Sequence, residues 1–143
     1  MEVRRVRMSA GWLVATVLLL AACGDTIHGI EYAEPVVTRF RAQMNTQDFQ
    51  KIYAETDPQF KAATNQDLGT QLFSAVDRKL GKLKHAERIN WNVNTNNGLT
   101  LVVLVYASEY ERGTATETFT VRVADGEGAL AGYNIQSLEM LIR

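Results

Sequence analysis

The spacing of apolar residues predicts a first helix near the start of the folded part of the chain. Successive apolar positions lie three or four residues apart at Ile30, Ala33, Val37, Phe40 and Met44. This spacing places them on one face of a helix. Pro35 lies inside the pattern, so the regular helix is predicted to begin close to that residue.

Two further helices are predicted before the pattern changes. A short one carries Phe49 and Ile52 on one side and is expected to end at Pro58. The third has an apolar stripe made of Leu68, Leu72, Val76 and Leu80. Thr64 and Asp67 have the spacing of a capping box at its start, and Gly81 can close its end.

After Lys84 the period becomes two, which is typical of strands. From Ile89 to Asn96 every even position is Asn, and Asn97-Gly98 then forms a strong hairpin signal. Residues 99–108 are apolar at nearly every position, as expected of a central strand. Two more strands are predicted over 115–124 and 129–138, so helices followed by strands indicate an α+β layering.

The turns allow the strand register to be predicted. A two-residue loop at 97 and 98 places Trp91 opposite Leu104, and a loop at 112 and 113 places Tyr106 opposite Phe119. Both loops put one apolar set on a single face of the sheet, and a last strand adds to it. The predicted face consists of Trp91, Val93, Val102, Leu104, Tyr106, Phe119, Val121, Val123, Ala131, Tyr133 and Ile135.

The opposite face carries a stripe of branched aliphatic residues, Leu101, Val103 and Val105. The stems of flanking Thr, Asn and Arg side chains can shield such a stripe. Alternatively, the stripe is the centre of a homodimer or of a surface for an envelope protein partner. Both interpretations remain open from the sequence.

The N-terminal segment has the features of an export signal. Arg4, Arg5 and Arg7 precede an uncharged run over residues 11–22. Twelve helical residues span ~18 Å, which is short of the ~30 Å hydrocarbon core of a bilayer. A basic start, a short apolar core and small residues at its end predict a cleaved signal peptide over residues 1–22.

The end of this run, Leu20-Ala21-Ala22-Cys23, resembles the lipobox of bacterial lipoproteins. The resemblance implies that the Cys23 thiol is lipidated and that cleavage makes Cys23 the first residue. It predicts a lipidated Cys23 and tether over 23–29, followed by one domain over 30–143. Gly24 follows the cysteine and Asp25 comes one later, which implies sorting to the outer membrane of a diderm host, facing the periplasm.

Composition narrows the function classes. The first 22 residues hold three Arg and one acid, so the remaining 121 residues have a formal charge of −3. A mildly acidic domain without a basic run is a poor candidate for nucleic-acid binding. A single Cys excludes a disulfide framework, and neither His28 nor His85 has partners at metal-ligand spacing. We therefore predict no metal and no cofactor.

The order and lengths of the elements resemble the nuclear transport factor two-like (cystatin-like) superfamily, and within it small exported bacterial domains of unknown function. The segments that carry the resemblance are FRAQMNTQDFQKIY (40–53), Asp57-Pro58-Gln59-Phe60, Lys79-Leu80-Gly81, Val105-Tyr106, Glu117-Thr118-Phe119 and Gly132-Tyr133-Asn134-Ile135. The resemblance implies three N-terminal helices packed on one face of a curved four-stranded antiparallel sheet. It also implies a cone with a pocket at its wide end in some members, and frequent dimers.

Some relatives in this superfamily are enzymes, such as ketosteroid isomerases and polyketide cyclases, which need a base and an oxyanion donor on the concave face. Here the candidate pocket lining is Tyr53, Trp91, Tyr106, Glu117 and Tyr133. Glu117 is expected to be an exposed residue near a strand end, so no catalytic constellation is predicted. The first hypothesis is a non-catalytic, membrane-anchored binding or interaction module. The alternatives are an isomerase-like or cyclase-like enzyme and a structural homodimer in the envelope.

Overall fold

The structure is a computed structural model that describes residues 24–142. The predicted signal peptide and Cys23 lie outside the described residues. The elements in chain order are α1 (Gly24–Asn45), α2 (Phe49–Ala54), α3 (Pro58–Ala63), α4 (Gln66–Leu80), β1 (Leu83–Asn96), β2 (Leu99–Tyr110), β3 (Gly113–Ala124), β4 (Glu127–Gln136) and α5 (Leu138–Leu141). The strands form one antiparallel sheet in the order β1-β2-β3-β4.

The predicted fold class is confirmed, because helices pack on one face of a curved four-stranded antiparallel sheet. Within residues 24–142, no helix combines the length and the apolar character needed to cross a membrane.

Helix α1 is longer than its sequence pattern indicates. It begins at Gly24 and keeps Pro35 in its interior, so the predicted start near Pro35 is wrong. Residues 24–29, which we predicted as part of a tether, are helical. An interior proline costs about 3 kcal/mol, and the buried Ala33, Val36 and Val37 around it provide the opposing packing energy.

Pro58 begins a helix instead of ending one, so four helices precede the sheet and not three. Asp57 is the N-cap of α3, and its side chain accepts a hydrogen bond from the Gln59 N–H at 2.8 Å. Proline fits the first turn of a helix because the N–H it lacks has no intrahelical partner there. The Asp57-Pro58 pair is therefore a start signal at this position.

Helix α4 lies where it was predicted, but its cap and its buried face differ. Asn65, not Thr64, caps the helix by accepting from the Leu68 N–H at 2.9 Å. Leu68 is 57% exposed, whereas Phe73 is fully buried, so the buried face is rotated away from the predicted stripe. Gly81 ends the helix as predicted, with φ of +78°.

The β1–β2 register is confirmed, with Trp91 opposite Leu104 and Val93 opposite Val102. The predicted β2–β3 pairs are wrong by two residues. Tyr106 lies opposite Glu117, since the loop consists of residues 111 and 112. Side chains alternate with a period of two, so a shift of two keeps every residue on its predicted face.

Two irregularities interrupt the alternation of the edge strands. Ile89 is the extra residue between Arg88 and Asn90, and it is 56% exposed. A second irregularity in β4 brings Leu130 opposite Val121, so Leu130 and not Ala131 points into the core. Bulges of this kind change which side chains face inward.

Aromatic rings fill the interior between the helices and the concave face of the sheet. The ring of Phe40 on α1 lies 5.2 Å from that of Phe119 and 4.9 Å from that of Tyr133. Phe73 on α4 contacts Phe40 at 5.6 Å and Tyr133 at 6.1 Å. These contacts place the hydrophobic core between the helices and the concave face of the sheet.

Candidate functional site

The most unusual feature of the interior is a buried carboxylate. Glu117 is only 1% exposed, so the expectation of an exposed glutamate is wrong. Its strand, β3, lies between β2 and β4, and its side chain points toward the face that the helices cover. A buried charge must be compensated by hydrogen bonds or by an opposite charge.

Three hydroxyl groups supply the hydrogen bonds. Ser108 Oγ donates to Oε2 of Glu117 at 2.5 Å, and the hydroxyls of Tyr110 and Tyr133 donate to Oε1 at 2.8 Å each. Two donors come from β2 and one from β4, so the sheet itself builds the arrangement. Hydrogen bonds to a charged acceptor are stronger than those between neutral groups.

The opposite charge comes from α1. Nη2 of Arg41 lies 3.8 Å from Oε2 of Glu117. The guanidinium also lies over the Tyr106 ring, 4.3 Å from the ring centroid, which is a favourable cation–π distance. We call Arg41, Ser108, Tyr110, Glu117 and Tyr133 the Glu117 cluster.

The phenols of this region stay protonated at neutral pH. Burial, and then the charge of Glu117, raise the pKa of Tyr110 and of Tyr133 well above the ordinary value. Burial and a hydrogen bond to Glu34 raise the pKa of Tyr106 to about 12. All three groups therefore act as hydrogen-bond donors and not as bases.

The space beside the cluster is small. A cavity of about 20 Å³ lies between α1, the end of α4 and the start of β1, with Arg41 and Tyr110 in its wall. This volume holds roughly one water molecule. Nε and Nη2 of Arg41 are buried without a hydrogen-bond partner, so a water in the cavity would have a donor to bind.

Two larger hollows lie elsewhere and open widely to solvent. One, of about 470 Å³, lies between the start of α2 and α4, with Asp48 and Ser74 in its wall. The other, of about 450 Å³, lies at the end of the sheet near His85 and Thr116. The second hollow has Ser108 of the Glu117 cluster in its wall, and neither hollow is lined by Tyr110, Glu117 or Tyr133. Among residues 29–142, no group of His, Cys, Asp and Glu side chains could hold a metal ion.

The five residues predicted to line a pocket do not form one site. Tyr106, Glu117 and Tyr133 lie near one another on the concave face. Tyr53 lies on the helical side, where its hydroxyl donates to the Thr64 carbonyl oxygen at 2.9 Å. Trp91 is 47% exposed on the edge strand β1.

Sequence reasoning missed Arg41 and Tyr110. Tyr110 follows Tyr106 and Ser108 at a spacing of two, so strand alternation could have placed it on the same face. Arg41 follows the buried Val37 by four residues on α1, so the two side chains lie on the same face of the helix. Neither signal shows that the two side chains converge on Glu117.

The stripe predicted as a candidate dimer face lies on the convex side of the sheet. Leu101, Val103 and Val105 are each partly exposed. Val103 lies between Asn92 on β1 and Thr120 on β3, and the other two have polar neighbours in the same way. The Asn, Thr and Arg side chains on β1 and β3 thus cover part of the stripe. A role of the stripe in a dimer stays a prediction.

Comparison with known proteins supports the fold. No family model matches the chain, and no curated protein matches it either. The chain is similar to the crystal structure of a candidate scytalone dehydratase from Novosphingobium aromaticivorans, with 9% identity and a TM-score of 0.50 over 78% of this chain and 85% of that chain. It also matches a SEC-C motif containing protein from Rhodopseudomonas palustris, with 15% identity and a TM-score of 0.38 over 73% of this chain and 88% of that chain. The first similarity shows that the chain has the nuclear transport factor two-like fold.

Proposed function

We propose that this chain is a lipid-anchored protein of the cell envelope whose domain is a non-catalytic binding or interaction module. The anchor is inferred from Leu20-Ala21-Ala22-Cys23 at the end of the uncharged run. The location, as sequence sorting rules imply for a diderm host, is the outer membrane facing the periplasm. The domain acts through its surface, because its interior is occupied by its own side chains.

The observation that carries the non-catalytic assignment is that protein groups already surround the Glu117 carboxylate. A general base must reach a substrate proton at hydrogen-bond distance. The Glu117 carboxylate instead accepts from three protein hydroxyls and is 1% exposed. The adjoining cavity of about 20 Å³ is too small for an organic substrate.

The position of α1 supports a defined orientation at the membrane. The helix begins at Gly24, directly after the predicted lipidation site. Gly29, near that end, lies against Val93 and Val102, so the start of α1 and the β1–β2 hairpin share one end of the cone. An anchor at Cys23 would hold this end toward the bilayer.

The anchor is tested by fractionation of cells that express the full chain. We expect the native chain in the outer-membrane fraction of a sucrose gradient, because two or three acyl chains anchor a protein stably. The Cys23→Ser chain has no thiol to lipidate, so we expect it in the soluble fraction. A Ser9→Ala chain is the matched control, because it changes the signal region and leaves the lipobox intact. Identical partition of the native and Cys23→Ser chains would contradict the proposal.

An isomerase-like or cyclase-like enzyme is the second candidate. The observation in its favour is the carboxylate of Glu117 beside the phenols of Tyr110 and Tyr133, which is the combination of base and oxyanion donor that such chemistry needs. This function requires the side chains that fill the cone to move far enough to admit a substrate. Saturable binding of a small apolar probe inside the cone of the native chain would favour this candidate over the first.

A further inference from the structure

The two edges of the sheet differ in how they are protected. On the β4 edge, α3 packs beside the strand, and the Asp57 N–H donates to the Leu130 carbonyl oxygen at 2.9 Å. On the β1 edge, no element of residues 24–142 pairs with the outer side of the strand. Exposed strand edges are templates for pairing with another strand.

The second half of the β1 edge, from the bulge at Ile89 onward, also lacks protection by charged residues or proline. Residues 89–97 contain neither a charged residue nor a proline, the two residue types that commonly block edge pairing. Ile89 is 56% exposed and Trp91 is 47% exposed on this strand. A long, neutral edge with exposed apolar side chains favours association.

The hairpin geometry shows which backbone groups point outward. Asn96 and Leu99 close the two-residue loop and therefore form a hydrogen-bonded pair. Pairs alternate along the ladder, so the groups of Trp91, Val93 and Thr95 face away from β2. In agreement, the Trp91 N–H donates to Oδ1 of its neighbour Asn90 at 2.8 Å instead of to β2.

The sequence of this edge is self-complementary about Asn92. If two copies of β1 run antiparallel with a two-fold axis at Asn92, Trp91 faces Val93 of the second copy and Asn90 faces Asn94. Apolar residues then meet on the concave side and asparagines meet on the convex side. The outward backbone groups of Trp91 and Val93 become a hydrogen-bonded pair, as the geometry of antiparallel ladders requires. In this pair the Trp91 N–H exchanges its Asn90 Oδ1 acceptor for the Val93 carbonyl oxygen of the second copy.

We propose that the β1 edge pairs with β1 of a second copy of this chain, with Asn92 at the two-fold axis. Each residue of such an interface contacts its counterpart reciprocally, as in other two-fold dimers. No like charges oppose each other between residues 89 and 95. The two sheets join into one continuous sheet of eight strands.

The register predicts a specific disulfide. Residues at the axis form a non-hydrogen-bonded pair with Cα atoms ~4.5 Å apart, which lies within the range that a disulfide spans. We therefore expect Asn92→Cys in the full chain to give a disulfide-linked dimer after mild oxidation of whole cells. The parental chain, with Cys23 alone, measures the background on a non-reducing gel.

Asn134→Cys is the matched control, because it is an exposed asparagine on the same face and on the other edge strand. We expect several-fold more dimer from Asn92→Cys than from Asn134→Cys. A mixture of Asn90→Cys and Asn94→Cys chains should link more than either chain alone. Equal linking of Asn92→Cys and Asn134→Cys would overturn the proposal.

Two other outcomes also overturn it. A linked product whose mass is not twice that of the chain would show that a different protein occupies the edge. If Val103→Lys abolishes linking through Asn92→Cys, the copies associate through the convex face and not through the edge. Retention of the link in Val103→Lys supports edge pairing. None of these results depends on the lipid anchor, so failure here leaves the proposed function standing.

Discussion

Glu117 is the residue whose surroundings differ most from what its sequence position indicates. Charged side chains are almost never fully buried unless they are paired. Here three hydroxyls and the Arg41 guanidinium occupy the neighbourhood of the carboxylate. Removing one partner of such an arrangement leaves the others buried and unsatisfied, which is more costly than losing an exposed ion pair.

Glu117→Gln is therefore expected to lower the free energy of unfolding by about 2–4 kcal/mol. The amide keeps the shape of the side chain but loses the charge that Arg41 and the hydroxyls stabilise. Glu109→Gln is the matched control, because Glu109 is 54% exposed and pairs with Lys84 at 3.0 Å. This exposed pair is expected to contribute less than about 1 kcal/mol. Urea denaturation of the full chains measures both, and similar losses would contradict the structural role of Glu117.

Alkaline pH should destabilise the fold through Tyr106. Its pKa rises from 10.0 to about 12 in the folded chain, so between these values the folded state holds a proton that the unfolded state has lost. Stability falls with rising pH wherever the unfolded state binds fewer protons. The contribution is complete below pH ~10 and is lost as the pH rises to about 12.

Tyr106→Phe tests this dependence. The variant lacks the titrating group, so its urea midpoint should fall less steeply than that of the native chain over the same pH range. Tyr110 and Tyr133, whose pKa values are also raised by burial and by Glu117, keep part of the dependence at higher pH. Equal slopes for the two chains would show that Tyr106 does not contribute.

At the scale of elements, the two hairpins show why one register was predictable and the other was not. Asn97 and Gly98 readily adopt the positive φ values that a two-residue hairpin turn needs, and here these are +51° and +76°. The two turn residues themselves therefore set the β1–β2 register. The loop of Glu111 and Arg112 is held by the end of α4 and by the segment that links α4 to β1. The Arg112 N–H donates to the Leu80 carbonyl oxygen at 2.9 Å, and the Glu111 N–H donates to the Lys82 carbonyl oxygen at 3.0 Å. A contact between distant segments therefore decides the β2–β3 register.

The junction between α4 and β1 should be sensitive to a single methyl group. Gly81 has φ of +78° and ψ of −152°, a region that is essentially restricted to glycine. A Cβ at Gly81 would also overlap the Glu111 carboxylate, which accepts a hydrogen bond from the Lys82 N–H at 2.9 Å. We expect Gly81→Ala to lower the free energy of unfolding by about 2–3 kcal/mol.

Gly98→Ala is the control for a positive φ without a steric contact. Gly98 has a similar φ of +76°, but nothing lies within 4 Å of a Cβ placed there. Its loss should be about 1 kcal/mol. Thermal unfolding of both full chains measures the difference, and a Gly98→Ala chain as unstable as Gly81→Ala would contradict the role of the Glu111 contact.

At the scale of the whole molecule, the cone is packed and not hollow. Phe40 lies near the centre of the packing and contacts the rings of Phe73, Phe119 and Tyr133. A binding function inside the cone would require these rings to leave their positions. The surfaces outside the cone, among them the convex face and the β1 edge, do not have this requirement.

The packed interior predicts that a small apolar probe does not bind the native chain. Benzene binds engineered apolar cavities of about 150 Å³ in other proteins, so it reports interior space directly. We expect saturable benzene binding, measured by NMR, for Phe40→Ala and none for the native chain. Circular dichroism shows whether the variant is folded, and Tyr106→Phe, which deletes only a hydroxyl, is the control variant. Saturable binding by the native chain would favour the enzyme candidate.

The sequence by itself determined the class of fold, the inward face of the sheet apart from Ala131, the β1–β2 register and the Gly81 helix end. These features depend on the alternation of neighbouring residues and on turn chemistry, which are local. Only the tertiary structure decided that Glu117 is buried, that Arg41 and Tyr110 join it, and that aromatic rings close the cone. Those outcomes depend on which distant side chains fill the same space, and residue periodicity carries no information about that volume. The open β1 edge depends on both the sequence and the tertiary structure. The sequence provides its neutral, alternating pattern, and the strand order leaves its outer side without a paired strand within residues 24–142.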